Sequence, residues 1–296
     1  MSISRQNLTA VIVTFKSENV IHDCIRSISE SIKIIIVDNS MDKKFKENIE
    51  KKYKNVECIL SSENLGMGSG NNLGLEHVKT DYAFVLNPDV ILEKNSIDEI
   101  ISSSQKIKSF SIIAPISNSI EYPNYKFGKN HEYDNYNAFN VKSVDGYAML
   151  LNLKKLNQLE IFNDAKYFDE NFFMYLENDD LCKRLIDCGE NIYVVPKSKI
   201  KHLGSKAVDI KYKDEIELSR NWHWVWSKFY YNKKHYGLLS AILNGLPSFI
   251  SAIIKFFFYS LLLNRKKSKI YLNRILGFVS ALLGKKSLYR PNLNQN

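Results

Sequence analysis

Polar and glycine residues follow four apolar runs in the first third of the chain. The runs LTAVIVTF (8–15), IKIIIVD (32–38), VECILS (56–61) and YAFVLN (82–87) are short and rich in β-branched residues, which predicts buried strands. They lead into Thr14-Phe15, Asp38-Asn39-Ser40, the stretch ENLGMGSGNN (63–72) and Asn87-Pro88-Asp89. Such side chains hydrogen-bond polar ligands, and a carboxylate also suits a hard divalent cation on a diphosphate.

A second group of chemically capable residues lies further along the chain. Glu177-Asn178-Asp179-Asp180 follows the apolar stretch FFMYL. Carboxylates that emerge from a core in this way can act as a general base, although they can also simply complement the dipole of a helix start. His202 leaves the last predicted strand, where a metal ligand would be placed, although a lone histidine is more often structural.

The elements between these residues predict how they are positioned. Segments with helical spacing at 18–30, 42–53 and 70–79 alternate with the four runs, which predicts a doubly wound, mostly parallel sheet of the α/β class. Further strands are predicted at 110–115, 144–153 and 191–196, and a helix at 177–188. Since ligands of open parallel sheets bind at the carboxyl ends of the strands, we expect one continuous polar site at that edge.

The glycine-rich stretch admits two interpretations. Gly66, Gly68 and Gly70 loosely match a dinucleotide fingerprint, but that fingerprint belongs after the first strand, and this stretch follows the third. We therefore discount a nicotinamide cofactor. The preferred interpretation is a tight turn that lets the backbone and Asn71-Asn72 approach a bound nucleotide.

Charge divides the chain into two parts. The formal net charge is +9, yet no Asp or Glu occurs after Glu217, and residues 221–296 contain 12 Lys and Arg. The remaining 29 basic and 32 acidic residues leave the rest of the chain at −3. This asymmetry predicts an anionic partner for the C-terminal region alone. The four cysteines include no C-x-x-C pair and are predicted to be buried free thiols.

The C-terminal region is predicted to be helical and to contact a membrane. The segment 238–263 is strongly apolar but contains Gly245, Pro247 and Lys255. From Leu246 to Leu263 the length is borderline for a spanning helix, and Lys255 is unfavourable at the bilayer centre. We favour helices lying in the membrane interface over a helical subdomain packed on the core. The basic residues expected to face lipid phosphates are Arg265, Lys266, Lys267, Lys269, Arg274, Lys285 and Lys286.

Several ordered motifs give the chain a family resemblance. They are VIVTFKSENVIHDCIRSI, IIIVDNS, ENLGMGSGNNLGL, YAFVLNPDV, FDENFFMYLENDDLCKRL and HLGSKAV, followed by NWHWVWSKFYYNKKHYG. Over about residues 8–236 the chain resembles glycosyltransferase family 2, in particular its bacterial rhamnosyltransferase-like members. The resemblance implies a GT-A fold, a nucleoside-diphosphate-sugar donor, a divalent metal (Mg²⁺ or Mn²⁺) and inversion at the anomeric carbon.

The resemblance also implies roles for individual residues. Asp89 would be the main carboxylate ligand of the metal, with His202 a second ligand. Asn87 occupies the first place of the family's Asp-x-Asp motif and would lie in the nucleotide-sugar pocket. The other residues implied to bind the nucleotide sugar are Thr14, Phe15, Asp38, Asn64, Gly66, Asn71 and Asn72.

The catalytic base is left open between two acids. The family's base corresponds to Asn178, which cannot take up a proton at neutral pH. The base would then be Glu177 or Asp179, and we favour Asp179 slightly. Residues 117–142 are rich in Asn, Tyr and Ser and show little periodicity, which is typical of a functional loop. Residues 117–146, including Asp145 and Gly146, would help to shape the acceptor site.

Together these features predict an enzyme at the cytoplasmic face of the plasma membrane, peripherally bound. Residues 1–213 would form the catalytic domain and 214–296 the membrane-associated region. The donor would be dTDP-rhamnose or a UDP-sugar, the acceptor a saccharide or lipid-linked saccharide, and no nucleic acid partner is expected. The alternatives are a sugar nucleotidyltransferase, which the glycine-free TFKSEN after the first strand disfavours, and a non-catalytic nucleotide-sugar-binding protein.

Overall fold

The structure is a computed structural model that describes residues 3–117, 123–128, 133–162, 164, 166–204 and 207–291. The chain forms two compact units. The first comprises Met1–Leu65, Ser69–Asp169 and Asn178–Asp209, and the second comprises Gly66–Gly68, Glu170–Glu177 and Ile210–Asn296.

The first unit is built on one large sheet and a small two-stranded one. The strands are Leu8–Thr14 (β1), Lys33–Asp38 (β2), Val56–Leu60 (β3), Tyr82–Leu86 (β4), Val90–Leu92 (β5), Ile112–Ser117 (β6), Tyr125–Lys126 (β7), Phe139–Val141 (β8), Ser143–Val144 (β9), Ala148–Asn152 (β10) and Ile192–His202 (β11). The order in the large sheet is β3-β2-β1-β4-β10-β6-β11-β5, with β8 also paired to β11. β7 pairs with β9 in the small sheet.

The predicted fold class is confirmed, because β3, β2, β1 and β4 pair in parallel and β6 pairs in parallel with β11. The strand β10 runs antiparallel to both β4 and β6, and β5 and β8 run antiparallel to β11. Every residue of β1 and β4 is buried, which agrees with their continuous apolar sequences. The weakly patterned strands β5, β7 and β8 are not apparent from the sequence.

Helices connect these strands. They are Glu18–Ser27 (α1), Lys43–Lys52 (α2), Gly66–Glu76 (α3), Ser96–Ser104 (α4), Leu153–Leu156 (α5) and Glu177–Asp187 (α6). α1 buries Val20, Ile21, Cys24 and Ile25, which recur at helical spacing. α2 begins at an N-cap, Asp42, whose side chain accepts a hydrogen bond from the Phe45 amide at 3.0 Å.

The helix predicted from residue 70 begins four residues earlier, so most of the glycine-rich stretch is helical, and a left-handed φ of 77° occurs at Gly66 where the chain enters it. Helix α3 begins at Gly66. A Cβ added to Gly70 would lie 2.9 Å from Val13 Cγ1, and one added to Gly74 would lie 2.5 Å from Val11 Cγ1. The absence of side chains at these two positions therefore lets α3 pack directly on β1.

Cysteine burial also differs from the prediction at one position, since Cys188 is exposed.

The second unit is a helical assembly with its own aromatic core. Helices Lys213–Leu261 (α7) and Arg265–Leu282 (α8) pack together, and α7 is interrupted at Gly237, where φ is 84° and ψ is 167°. A Cβ on Gly277 would lie 2.5 Å from the Trp222 carbonyl oxygen, so a glycine is required at this helix contact. The buried core consists of Trp222, Trp226, Phe229, Ala241, Phe278 and Ala281.

The C-terminal half of α7 leaves its apolar side chains uncovered. Over the described residues, one helical stretch, Ile210–Leu261, is long and apolar enough to cross a membrane by length and composition. Its most apolar window is only 11% buried. Exposed apolar residues of the second unit include Leu239, Leu243, Ile250, Ile254, Phe257, Phe258, Leu261, Leu262 and Leu263. A surface of this extent is typical of a membrane or protein contact.

His223 is buried in this second core as a neutral ring. Its Nδ1 lies 2.8 Å from Ser287 Oγ, its Nε2 lies 2.9 Å from the Tyr289 carbonyl oxygen, and the ring stacks on Phe173. Burial lowers the pKa of His223 to about 3, and the nearby Arg290 acts in the same direction. In the unfolded chain the ring would titrate near its ordinary value of 6.5.

We therefore expect the folded protein to lose stability as the pH falls below about 6, since only the unfolded state takes up the proton. The contribution of His223 to the free energy of unfolding should fall by close to 1.4 kcal/mol per pH unit, down to about pH 4. Urea unfolding at several pH values, compared between wild type and His223→Gln, measures this. The variant should be less stable at pH 7 but should lose less stability on acidification, and equal pH slopes would contradict the assignment.

Candidate active site

The carboxyl ends of β1 and β2 place Thr14 and Asp38 side by side. The two residues are register partners, and Thr14 Oγ1 donates to Asp38 Oδ1 at 3.1 Å. The Asp42 amide donates to Asp38 Oδ2 at 2.9 Å. Asp38 is buried, so these donors hold its carboxylate in one orientation while leaving lone pairs for a ligand. Phe15 lies next to this pair and is half-buried.

The asparagines after β3 differ from one another. The amide of Asn72 is fully buried and exchanges two hydrogen bonds with the Phe168 backbone, at 2.8 and 3.0 Å. Asn71 is also buried, but its Oδ1 accepts no hydrogen bond from the described residues. Buried acceptors are rarely left unpaired, so Asn71 is better suited than Asn72 to contact a ligand directly. Asn64 is half-buried nearby in the sequence.

The pairing of β5 with β11 brings Asp89 and His202 together. His202 is the register partner of Val90, and the Leu203 amide donates to the Asp89 carbonyl oxygen at 3.0 Å. Asp89 Oδ1 and His202 Nε2 are 3.4 Å apart. Asp89 is 2% exposed, and its Oδ1 makes no hydrogen bond within the described part of the chain. The two side chains therefore lie close together but form no hydrogen bond with each other.

Asn87 and Tyr147 complete this part of the edge. The Asn87 amide donates to the Tyr147 carbonyl oxygen at 2.9 Å, and Asn87 Oδ1 accepts no hydrogen bond from any described residue. The Tyr147 ring stacks on His202, with ring centroids 4.0 Å apart, which restricts the orientation of the imidazole. Burial raises the pKa of Tyr147 to about 12, so the hydroxyl stays protonated. Tyr147 was not predicted as a site residue from the sequence. Its position directly after Gly146, a predicted site residue, could have indicated it.

Asn178 packs against the segment between β9 and β10. Its Nδ2 donates to the Val144 carbonyl oxygen at 2.8 Å, and a Cβ on Gly146 would lie 3.1 Å from Asn178 Cβ. A carboxylate at position 178 could not donate this hydrogen bond, which gives a structural reason for the amide. Asp145 lies in the same segment, and burial raises the pKa of its carboxyl group, with the charge of Asp179 acting in the same direction.

Asp179 and Asp180 have different partners. Asp179 Oδ1 is 2.7 Å from Lys126 Nζ, and the lysine side chain is largely exposed. Asp180 is fully buried and accepts from Arg184 Nε at 2.8 Å, the structural contact expected from its i, i+4 spacing. Asp179 is therefore the more accessible of the two carboxylates for chemistry.

Glu177 begins α6 directly after a strained turn. Tyr175 and Leu176 have φ values of 71° and 67°, a left-handed conformation that costs of order 1–3 kcal/mol for each such residue. Within the second unit, Ser227 Oγ donates to the Met174 carbonyl oxygen at 2.7 Å, and Trp224 contacts the Tyr175 ring edge-on. Gly66 lies against the same segment, since a Cβ there would meet the Phe173 carbonyl oxygen at 2.2 Å.

The strand directions place most of the predicted residues of the first unit at one edge of the sheet. β1, β2 and β4 end there, β10 begins there because it is antiparallel to β4, and β11 ends there. Direct contacts join Thr14 to Asp38, Asp89 to His202, and Gly146 to Asn178. Among the described residues no three His, Cys, Asp or Glu side chains cluster as a complete metal site.

This mostly parallel sheet, with a polar edge at the ends of its strands and Asp89 three residues after β4, has the GT-A fold. The chain belongs to glycosyl transferase family 2, whose family model matches residues 9–179, more than half of its length. The family predicted from the ordered motifs is thereby confirmed.

The chain is similar to curated proteins and to solved structures, three of which are described here. It is 28% identical over 204 residues to a low-salt glycan biosynthesis hexosyltransferase of Haloferax volcanii, covering 60% of this chain and 61% of that protein. It is 25% identical over 219 residues to the rhamnosyltransferase WbbL of Escherichia coli, covering 63% and 79%. The mannosyltransferase PcManGT of Pyrobaculum calidifontis, solved with GDP-Man and Mn²⁺, superposes with a TM-score of 0.57 at 10% identity, covering 96% and 89%. The chain thus spans about three fifths of the first relative, and the last likeness concerns the fold.

Proposed function

We propose that the chain is an inverting glycosyltransferase that moves a sugar from a nucleoside-diphosphate donor to a saccharide or lipid-linked saccharide in cell-surface polysaccharide biosynthesis. The observation that carries the proposal is the buried Asp89 Oδ1, which lies 3.4 Å from His202 Nε2 without a hydrogen bond, on the sheet edge that also holds Asp38. The likeness to WbbL favours dTDP-rhamnose as the donor, and a UDP-sugar is the second choice.

The donor nucleoside would bind at the ends of β1 and β2. Asp38 would accept from the N–H of a pyrimidine ring, because Thr14 and the Asp42 amide already orient its carboxylate. Phe15 would contact the base, and Asn64, Gly66 and Asn72 would shape the pocket. The Oδ1 atoms of Asn71 and Asn87 would accept hydrogen bonds from donor hydroxyl groups, since both are buried acceptors with capacity to spare.

The residues around Asp89 fit a divalent cation. Asp89 Oδ1 and His202 Nε2 lie 3.4 Å apart, close enough for both atoms to hold one divalent cation. A cation of this kind usually keeps most of its ligands as water and phosphate oxygen, so two protein ligands fit a site for a diphosphate-bound metal. When bound, Mg²⁺ or Mn²⁺ would supply positive charge for the departing diphosphate.

The acceptor would be activated by an acid at the start of α6. Asp179, or alternatively Glu177, would take the proton from an acceptor hydroxyl as its oxygen bonds to the anomeric carbon. The bond from that carbon to the diphosphate breaks on the opposite side, which inverts the configuration. Asp145 and Gly146 would line the acceptor side, next to Asn178. Of the longer segment 117–146 predicted to shape this site, residues 118–122 and 129–132 lie outside the described residues.

The C-terminal helices would bind the enzyme peripherally to the cytoplasmic face of the plasma membrane. The uncovered apolar side chains of α7 support this, together with the basic residues of α8 and the absence of acids after Glu217 in the sequence. Lys255 within the apolar stretch favours an interfacial orientation over crossing. We accordingly propose residues 1–213 as the catalytic domain and 214–296 as the membrane-associated region.

A nucleotide sugar should stabilise the protein measurably if this proposal is correct. At a concentration of ~100 Kd, dTDP-rhamnose with Mn²⁺ should add about 2.7 kcal/mol, which corresponds to a rise in Tm of roughly 5 °C or more. Thr14→Val should shrink the rise, because it releases Asp38. Thr9→Val, a buried threonine at the other end of β1, is the matched control. A response to nucleoside triphosphates but to none of the nucleotide sugars would instead favour a nucleotidyltransferase.

A further inference from the structure

A small cavity of about 60 Å³ opens in the second unit, between the two parts of α7 and α8. We call it the Lys228 pocket and define it by Trp224, Lys228, Asn232, Gly245, Ser248 and Arg274. Pockets for whole drug-sized ligands occupy roughly 300–1,000 Å³. The Lys228 pocket therefore has room for one small group and not for a sugar or a nucleotide.

The charge of the pocket is positive and uncompensated. Lys228 and Arg274 contribute two cations, none of the residues lining the pocket is acidic, and no Asp or Glu follows Glu217 in the sequence. Lys228 makes no ion pair within the described part of the chain. Arg274 donates through Nε to Asn221 Oδ1 at 2.6 Å, which orients the guanidinium and leaves its terminal nitrogens to donate elsewhere.

A second basic cavity shows the contrast. It lies in the first unit and is lined by Arg5 and Arg26 among others. Arg5 donates to both oxygens of Asp98 at 2.8 Å, and Arg26 pairs with Asp23. Two of the three cations of that cavity are thus paired with acids, and Glu93 and Asp98 also line it. Lys228 and Arg274, by contrast, line a pocket without an acid.

Exposed apolar side chains lie at the pocket and beside it. Trp224 is 45% exposed and Leu246, beside Gly245 on α7, is 40% exposed. Tryptophan is enriched where proteins meet the boundary between lipid and water. An anion that enters this pocket from the α7 surface would carry its attached chain along uncovered leucines, which is the situation of a lipid and not of a soluble ion.

We propose that the Lys228 pocket binds the phosphate group of an anionic membrane lipid. The ammonium of Lys228, the guanidinium of Arg274 and the Ser248 hydroxyl would donate to the phosphate oxygens, while the acyl chains lie against the exposed face of α7. The inference rests on the proposed membrane association and adds to it a defined headgroup site, which combines Lys228 with Arg274, one of the basic residues expected to face lipid phosphates.

Vesicle co-sedimentation of the full chain tests the proposal. Wild type should bind phosphatidylcholine vesicles that contain phosphatidic acid more tightly than vesicles of phosphatidylcholine alone. Lys228→Ala should weaken binding to the phosphatidic acid vesicles about tenfold or more, as expected for a lost charge-assisted hydrogen bond. Lys228→Arg should restore it. Lys233→Ala removes an exposed lysine from the same helix and should cost no more than about fivefold, the effect of one charge near the surface.

The outcomes separate the two proposals. If wild type binds no vesicles, the membrane association fails and the pocket proposal fails with it. If wild type binds and Lys228→Ala behaves like Lys233→Ala, the pocket proposal is overturned and the membrane association stands. A thermal stabilisation by inorganic phosphate that Lys228→Ala removes, without any effect on vesicle binding, would assign the pocket to a soluble anion and overturn the lipid.

Discussion

Replacing Asp89 by asparagine is expected to lower sugar transfer by about three orders of magnitude, because the carboxylate is the charged ligand proposed for the metal beneath the donor diphosphate. The substitution preserves the size of the side chain and removes only its charge. The same variant should lose the part of the donor-induced Tm rise that depends on Mn²⁺, a readout that needs no turnover.

Stability provides the discriminating control for Asp89. Its buried Oδ1 has no hydrogen-bond partner among the described residues, so the native state already bears the cost of desolvating a charge. Asp89→Asn should therefore be at least as stable as wild type, whereas a structural carboxylate would leave the variant weaker. Asp23→Asn, which alters an exposed acid of α1, should change neither quantity. Turnover at the wild-type rate in Asp89→Asn would exclude the proposed metal role.

Substitution of the two candidate bases should separate them by a comparably large margin. Asp179→Asn is expected to reduce kcat about 10²–10⁴-fold, the usual contribution of a general base, and Glu177→Gln by much less. Since the base acts on the acceptor hydroxyl, Asp179→Asn should retain the full Tm rise with the donor. Asp179→Asn would then separate donor binding from the transfer step.

The alternative outcome is equally informative. A large loss in Glu177→Gln with little change in Asp179→Asn would assign the base to Glu177, which the strained turn at Tyr175-Leu176 delivers to the start of α6. Asp187→Asn provides the matched control, because it removes an exposed acid of α6 that pairs with Lys183. If both candidate variants turn over like this control, the base lies elsewhere, and Asp145 becomes the next acid to test.

The strands and the family could be predicted because their signals are local. Runs such as LTAVIVTF and YAFVLN are apolar on both faces, because both faces of a covered parallel sheet are buried. Such a strand can therefore be recognised from its own residues. The helix start in the glycine-rich stretch was misjudged because glycine is typical of turns. Gly70 and Gly74 are instead required by the packing of α3 on the valines of β1, residues about sixty positions earlier in the chain.

The sequence alone determined the family, the fold class and the set of polar residues at the strand ends. Only the tertiary structure decided which of them meet. It placed His202 at 3.4 Å from Asp89, stacked Tyr147 on that histidine, paired Asp179 with Lys126 and turned the Asn178 amide toward the Val144 carbonyl oxygen. The physical reason is that residue type and periodicity are properties of a short segment of sequence. These contacts, by contrast, join segments far apart in the chain and depend on strand order and register.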